Sequence, residues 1–392
     1  MNKRLPNIES GYPLANSGIW IIAIAAALGG GIVAYNSYRQ APEEWLGPYL
    51  IAWLMWAGIS LGSLSLVLLH NLTGGQWGDA VRPVMRAAAS SLWLMLILFI
   101  PIFLGVERIF PWADPSVIEH DPIVQHKSAY LNVDFFRVRA GVYFVIWLGL
   151  LAFLGWQERK TAGANHTTIR RIARFSGQGL LLHGLAVTFA SVDWMMSLEP
   201  HWFSTIYGVL VFVSFGLAAL AFAICFTTFG VRRNHGRCPL NADPSHDLGK
   251  LLLAFVMLWA YMAFSQFLII WYGNLPEEVV WYLRRFAGDW RSVTFVLLFF
   301  HFIVPFAILL GREVKRKPVR LSLVALLVLA MSWLNLVWMV MPALQKADSS
   351  QFNPWPTAGF TLAIGGLWLM VTSVCLLRGE GTYNAYREQE NG

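Results

Sequence analysis

Apolar residues fill most of the chain in long runs that are separated by polar loops rich in Gly and Pro. A run of about 20 apolar residues is long enough to cross a bilayer as an α-helix. Such runs occur at residues 17–36, 50–70, 89–106, 140–157, 178–197, 204–228, 249–272, 291–311, 319–341 and 358–377. The pattern therefore predicts an all-α polytopic membrane protein with ten transmembrane helices.

Composition agrees with this prediction and excludes other classes of protein. Hydrophobic residues make up 57% of the 392 residues, charged residues only 13%, and the mean hydropathy is +0.53. Soluble domains carry about 25% charged residues, so a freely soluble enzyme, a coiled coil and a disordered chain are all excluded. The three cysteines are far apart and form no C-x-x-C motif, so the chain is predicted to hold no iron–sulfur cluster, c-type haem or disulfide framework.

Lys and Arg residues are distributed unequally between the two sets of loops. Of the 29 such residues, 20 lie in the set that includes both termini, and nine lie in the other set. Cytoplasmic loops of membrane proteins carry the excess of Lys and Arg. We therefore predict that both termini face the cytoplasm, with the chain in a cytoplasmic (inner) membrane.

A weak internal repeat suggests how the ten helices are organised. Predicted helices 3 and 7 each follow a basic residue, Arg82 or Lys250, and helices 4 and 8 follow Arg139 and Arg291. We predict two four-helix bundles, made of helices 2–5 and 6–9, with helices 1 and 10 at the periphery. In one integral membrane domain, these parts correspond to residues 1–49 (N-terminal segment and helix 1), 50–203, 204–345 and 346–392 (helix 10 and C-terminal tail). Gly58 and Gly62 are spaced for close helix packing on helix 2.

Several polar side chains fall where the pattern places the membrane interior or its outer boundary. An ionisable group within a span costs several kcal/mol, so it requires a partner or a function. From the predicted cytoplasmic side outward, the buried candidates for a proton pathway are His70, His183, His301, Asp193 and Gln266. Candidates at the outer boundary, for a quinone site or a proton exit, are Glu107, Glu199 and His201. Depth order does not establish that these side chains are adjacent.

Asp193 and His301 are the most informative of these candidates. Residues 189–197 contain no Lys or Arg, so we predict that Asp193 is protonatable rather than part of a fixed ion pair; a structural Asp bonded to a neighbouring helix is the alternative. Pro305 leaves the carbonyl of His301 without its helical partner, so His301 is either a proton station or a histidine at a packing kink. A bis-histidine haem would need two imidazoles at one depth, which only His70 and His183 approach. No metal site is predicted.

Three segments together resemble a known family. They are Ser191–Thr205 (SVDWMMSLEPHWFST), Gly273–Glu278 followed by Trp281-Tyr282, and His301-Phe302 with Pro305. Along essentially its whole length the chain resembles the F-type (ActF-like) membrane subunits of alternative complex III. That bacterial respiratory complex oxidises quinol, and these subunits fall within the polysulfide-reductase or NrfD-like superfamily.

The resemblance implies a membrane subunit of a quinol:electron-acceptor oxidoreductase with no redox cofactor of its own. It also implies partners: a sister NrfD-like subunit, an iron–sulfur subunit and c-type haem subunits on the outer side, with lipid around them and no nucleic acid. In that family the quinol site is assigned to the sister subunit. The F-type subunit then contributes a proton pathway, through His183, Asp193 and His301, and a scaffold.

Two other functions remain open at this stage. One is a quinone-binding catalytic subunit with a pocket near Asp193, Glu199 and His201. The other is an independent secondary transporter. The long outer loops 107–139 and 273–290 combine aromatic residues with arginine, which is typical of protein contacts, and we expect them to bind the outer subunits.

Overall fold

The computed structural model describes residues 14–15, 17–160, 166–232, 240–345 and 352–391. Across these residues, ten helices are long and apolar enough to cross a membrane, which confirms the predicted all-α polytopic fold. They are α1 (Ser17–Gln40), α2 (Leu46–Thr73), α3 (Gln76–Leu104), α4 (Val133–Gln157), α5 (Ile172–Leu198), α6 (Tyr207–Gly230), α7 (Ala242–Gly273), α8 (Trp290–Leu310), α9 (Pro318–Leu344) and α10 (Trp355–Arg378).

Shorter elements extend or connect these helices. Helical structure continues from α4 to Lys160, starts before α5 at His166, and runs past α10 to Asn391. Short helices cover Val106–Ile109, Pro111–Ala113, Pro115–His120, Pro122–His126, Pro276–Arg285 and Arg312–Arg316. Strands β1 (Leu14–Ala15) and β2 (Val231–Arg232) pair antiparallel. We call the end with Pro276–Arg285 the outer end, following the predicted orientation, and the opposite end the inner end.

Two helices begin earlier than the hydrophobic pattern predicts. The third was expected to start at residue 89 and the fourth at 140, but α3 starts at Gln76 and α4 at Val133. Arg139 therefore lies inside α4, where its side chain is 9% exposed. A span predicted from apolar residues alone ends at such a charge. The helix itself can continue through the charged residue when a neighbouring helix supplies the opposite charge.

α2 and α6 form the centre of the molecule. In the most apolar stretch of α2, 94% of the residues are buried, compared with 17% in α1. α2 packs directly against α6, and a Cβ at Gly62 would overlap the backbone carbonyl of Phe215. A Cβ at Gly58 would meet the ring of the same Phe215. The predicted glycine face of α2 is therefore confirmed as the place where these two helices approach most closely.

The remaining helices pack around this central pair. α3 and α5 contact α2, and α4 contacts α5; we call α2–α5 the first bundle. α7 and α9 contact α6, and α8 contacts both α7 and α9; we call α6–α9 the second bundle. α1 packs along α10 at the periphery, where Gly30 lies against Gly359 and Ala363.

The outer half of α3 is interrupted, and aromatic side chains from α2 satisfy the exposed backbone. The helix is broken at Ser91 and again before Ile100. The indole of Trp53 donates to the carbonyl of Met95 at 2.8 Å, and the Tyr49 hydroxyl donates to the carbonyl of Leu98 at 2.7 Å. Because an unpaired carbonyl in lipid is costly, these bonds stabilise the break.

Candidate functional site

Asp193 lies near the outer end of α5 and is bound from α4 by two side chains. Arg139 donates from Nε to Oδ2 at 2.8 Å and from Nη2 to Oδ1 at 3.0 Å. The Tyr143 hydroxyl also donates to Oδ2, at 2.7 Å, and the Asp193 side chain is only 1% exposed. The prediction that Asp193 takes no part in a fixed ion pair is therefore wrong. The cation comes from a neighbouring helix, which the sequence around Asp193 cannot show.

Aromatic rings enclose the guanidinium of Arg139. Its carbon lies 3.9 Å from the ring centre of Tyr130 and 4.4 Å from that of Phe135, and Nη1 donates to the Tyr130 carbonyl at 2.8 Å. Burial raises the pKa of the Tyr130 phenol, and the negative charge of Asp193 raises it further. Arg139, Tyr130, Tyr143 and Asp193 thus form one compact group, which we call the Asp193 cluster.

A row of aromatic rings runs from the Asp193 cluster to His183. Tyr143 and Trp194 each contact Trp147, with ring centres 6.0 and 5.8 Å apart, and the Trp147 ring lies 6.5 Å from that of His183. His183 is fully buried, and its Nε2 shares a hydrogen bond of 2.8 Å with Ser65 Oγ of α2. The structure therefore places Asp193 and His183 in the interior of the first bundle.

Three polar atoms along this row have no hydrogen-bond partner among the residues that the structure describes. They are Nε1 of Trp194, Nε1 of Trp147 and Nδ1 of His183, and all three are buried. Buried donors and acceptors are normally satisfied, by ordered water where protein groups are absent. The interior of the first bundle thus offers water a series of hydrogen-bonding positions between Asp193 and His183.

His301 occupies the interior of the second bundle without such connections. The chain forms a wide, π-helical turn over Leu298–Ile303, and the amide of Val304 donates to the carbonyl of Phe299. His301 is 1% exposed and its ring meets that of Trp259 edge-on at 4.2 Å. Within the described part of the chain, neither its Nδ1 nor the Trp259 Nε1 has a hydrogen-bond partner. Among the described contacts, no hydrogen bond or ring pair joins His301 to the Asp193 cluster.

Glu199 is held at the outer end by two arginines from the helix Pro276–Arg285. Arg284 and Arg285 each donate to one of its carboxylate oxygens at 3.1 Å. Arg285 is fully buried, and it also donates to the carbonyls of Trp281, Trp338 and Met339 at 2.9, 3.1 and 2.7 Å. Burial lowers the pKa of Arg285, and the charge of Glu199 opposes that shift. We call Arg284, Arg285 and Glu199 the Glu199 cluster.

Three further candidates, Gln266, His201 and Glu107, belong to neither cluster. Gln266 accepts a hydrogen bond from Ser204 at 3.2 Å and donates to the Tyr282 hydroxyl at 3.3 Å, and burial raises the pKa of Tyr282 to about 12. His201 pairs with Asp121 at 2.7 Å on the surface. Glu107 is exposed and joins no ion pair with the described residues.

His70 belongs to a polar group at the inner end rather than to the row. Its Nε2 lies 3.0 Å from the carbonyl of Gly75 and 3.5 Å from Asp79, and its Nδ1 lies 3.4 Å from Arg82. Arg82 also donates to Asn71, at 2.8 Å. No described contact links this group to His183.

The described residues show which ligands the site can accommodate. They contain no group of three or more His, Cys, Asp or Glu side chains placed to hold a metal ion. A cavity of about 20 Å³, large enough for one water molecule, lies between the bundles beside Met55, Met195, Ser332 and Asn335. The polar groups of Asp193, Glu199 and His201, which a quinone pocket would use, are engaged with protein partners.

Sequence reasoning missed the arginines and tyrosines that surround these carboxylates. Arg139 and Arg285 each precede a long apolar run, so they were assigned to loops. One signal was available: Arg139 and Tyr143 are four residues apart, and such residues lie on one face of a helix.

Comparison with known proteins gives no assignment for this chain: no protein-family model matches it, and no curated protein matches it.

Proposed function

We propose that this integral membrane protein is a subunit of a quinol-oxidising respiratory assembly of the alternative complex III type, where it conducts protons and supports the redox subunits. The sequence resemblance supports the type of assembly. The proton route is supported by one observation: Nε1 of Trp194, Nε1 of Trp147 and Nδ1 of His183 lie along the row of rings between Asp193 and His183, buried and without hydrogen-bond partners among the described residues. In this proposal both termini lie in the cytoplasm of a bacterium, and the row opens toward the outer side through the Asp193 cluster.

Asp193 has a different role in this proposal from the one predicted from the sequence. Arg139 and Tyr143 bind both carboxylate oxygens, so in this proposal Asp193 is a fixed anchor at the end of the row and not a proton carrier. Water molecules bound beside Trp147 and Trp194 would then relay protons between the Tyr143 hydroxyl and the His183 imidazole, past the ion pair. Imidazole can both accept and donate a proton, which suits His183 to the inner end of this relay.

The proton route is tested by removing single hydroxyl groups. Tyr143→Phe takes away the hydroxyl that joins Asp193 to the row, and Tyr49→Phe takes away an equally buried hydroxyl that bonds only to the Leu98 carbonyl. The assembled complex is reconstituted in liposomes, and protons moved per electron are measured during quinol oxidation. We expect a lower ratio for Tyr143→Phe and an unchanged ratio for Tyr49→Phe. Equal ratios in the two variants would remove the row from the mechanism.

The assembly itself has an independent test. The full chain is tagged and purified from its native membrane in mild detergent, and the material is examined for c-type haem by absorbance and for iron–sulfur clusters by electron paramagnetic resonance. Both signals should co-purify in fixed proportion to the chain. A chain that purifies alone and still exchanges a solute across liposomes would be a secondary transporter instead.

The quinone-binding alternative is less well supported by the contacts. Glu199 accepts hydrogen bonds from two arginines, and Nε2 of His201 pairs with Asp121, so a quinone carbonyl would have to be bound through Nδ1 of the exposed His201 ring.

A further inference from the structure

The inner ends of α7, α8 and α9 bring basic side chains together around one buried lysine. Lys315, in the short helix Arg312–Arg316, is only 9% exposed. This helix packs against α7, and a Cβ at Gly249 would lie 2.6 Å from Cγ of Lys315, so the lysine side chain crosses the surface of α7 at that glycine. Gly249 thus provides the space in which Lys315 is buried.

The ammonium group of Lys315 has no partner among the described residues. Neighbouring charges are paired with one another: Lys250 with Asp247 at 2.8 Å, Arg316 with Asp243 at 3.4 Å, and Lys317 with Glu313 at 3.6 Å. Neither Lys315 nor Arg312 takes part in an ion pair or hydrogen bond within the described part of the chain. Lys315 Nζ is not among the buried atoms that lack a partner, so the lysine stem is buried along α7 while its ammonium group reaches the surface, where its unpaired charge can bind an anion.

The local charge balance also favours an anion. Residues 242–250 and 311–320 carry six Lys and Arg side chains and three carboxylates. His246, in the first turns of α7, interacts electrostatically with Lys250, Lys315 and Arg312. These three positive charges therefore lie around the start of α7. On the same face of α7, one turn before Gly249, the Ser245 hydroxyl is buried and has no partner.

The surroundings indicate an anion that is attached to a lipid. Leu310, Val319 and Leu323 lie next to this cluster along α8 and α9 and are 59%, 55% and 58% exposed. They provide an apolar surface directly beside Lys315 and Arg312, where an acyl chain would lie. Basic pockets between transmembrane helices on the cytoplasmic side bind the headgroups of anionic lipids.

We propose that Lys315, Arg312 and the start of α7 bind the phosphate group of an anionic phospholipid in the leaflet at the inner end. A soluble phosphate ion has the same chemistry, but it would make no use of the apolar surface. The site is separate from the Asp193 cluster and does not depend on the proton route.

Native mass spectrometry of the full-length protein in nonionic detergent tests this site. The probes are dioleoyl phosphatidylglycerol, dioleoyl phosphatidylcholine and inorganic phosphate. We expect the wild-type protein to bind phosphatidylglycerol in preference to phosphatidylcholine, and Lys315→Met to weaken that binding about fivefold, because a basic residue near the membrane surface contributes about 1 kcal/mol. Inorganic phosphate at the same concentration should not displace the lipid.

Lys317→Met is the matched control, because it removes the same charge from an exposed lysine that is paired with Glu313. Its effect should be less than about twofold, since exposed ion pairs contribute little. Lys315→Arg restores the charge and should retain the preference for phosphatidylglycerol, which separates loss of the site from misfolding. Equal losses in Lys315→Met and Lys317→Met, no preference between the two lipids, or displacement by inorganic phosphate would each overturn the proposal.

Discussion

The two bundles contain similar polar groups, but they use them differently. Each has a buried arginine at its outer end, Arg139 or Arg285, and each has a buried histidine beside a tryptophan. In the first bundle the arginine pairs with Asp193 on the next helix, and aromatic rings continue from there to His183. In the second bundle, described contacts connect His301 to no carboxylate.

The partners of the two arginines show what this difference means. Arg139 neutralises a carboxylate inside its own bundle, where Tyr143 supplies a further hydrogen bond. Arg285 divides its bonds between three backbone carbonyls and Glu199, which lies between α5 and α6. The Arg139 contacts join α4 to α5. The Arg285 contacts instead bind the connection between α5 and α6 to α9. Similar residues therefore serve an interior site in one bundle and a structural brace in the other.

The largest expected effect comes from breaking the Arg139–Asp193 pair. Arg139→Met should lower the free energy of unfolding by about 3–5 kcal/mol, because it leaves a buried carboxylate without its cation. The Arg139→Met/Asp193→Asn double variant should recover much of that loss. Thermal unfolding in detergent, followed by tryptophan fluorescence, measures both. Arg137→Met, two residues away with its guanidinium over the ring of Phe103, is the control and should cost about 1 kcal/mol or less.

Glu199→Gln should lower the free energy of unfolding by about 1–2 kcal/mol, which is less than the effect expected for Arg139→Met. Arg285 retains its three carbonyl acceptors in this variant, and Arg284 is half exposed and can be solvated. The same unfolding measurement checks the order of the two variants. If Glu199→Gln proved as destabilising as Arg139→Met, the distinction between an interior ion pair and a braced connection would be incorrect.

Tyr143→Phe should have a smaller effect on stability, about 1–1.5 kcal/mol, because it removes one hydrogen bond and leaves the ion pair intact. Tyr49→Phe should cost a similar amount, since the Tyr49 hydroxyl is also buried and makes one bond. Unfolding midpoints of the two variants should therefore agree, so that a difference in proton transfer between them reports on the row and not on stability.

The smallest expected effect is a pH dependence at the outer surface. Burial raises the pKa of Asp121, but the amides of Val124 and Ile123 and the imidazole of His201 together outweigh it, so the net pKa lies below its usual value. The Asp121 carboxylate should thus keep its hydrogen bonds from Val124, Ile123 and His201 above the usual pKa of Asp and lose them as pH falls through its own lowered pKa. Hydrogen exchange of residues 115–126 should accelerate only in that acidic range. Asp121→Asn should show the faster exchange at neutral pH.

The sequence predicts the helices better than it predicts the site. The length of an apolar run and the spacing of two glycines are local properties of the sequence. The ten spans and the glycine face of α2 therefore follow from the sequence alone. The environment of Asp193 does not, because Arg139 is 54 residues away along the chain and becomes a neighbour only when α4 packs on α5. For the same reason, depth order placed Gln266 and His70 on a route with His183, whereas each has its own local partners.

Ordered water between Asp193 and His183 is the most direct test of the central proposal. A high-resolution electron cryomicroscopy map of the assembled complex would show it. We predict water density within hydrogen-bonding distance of the Trp194 Nε1, Trp147 Nε1 and His183 Nδ1 atoms, continuous with the Tyr143 hydroxyl. A dry, closely packed interior at these three atoms, in a map that resolves water elsewhere in the membrane region, would contradict the account.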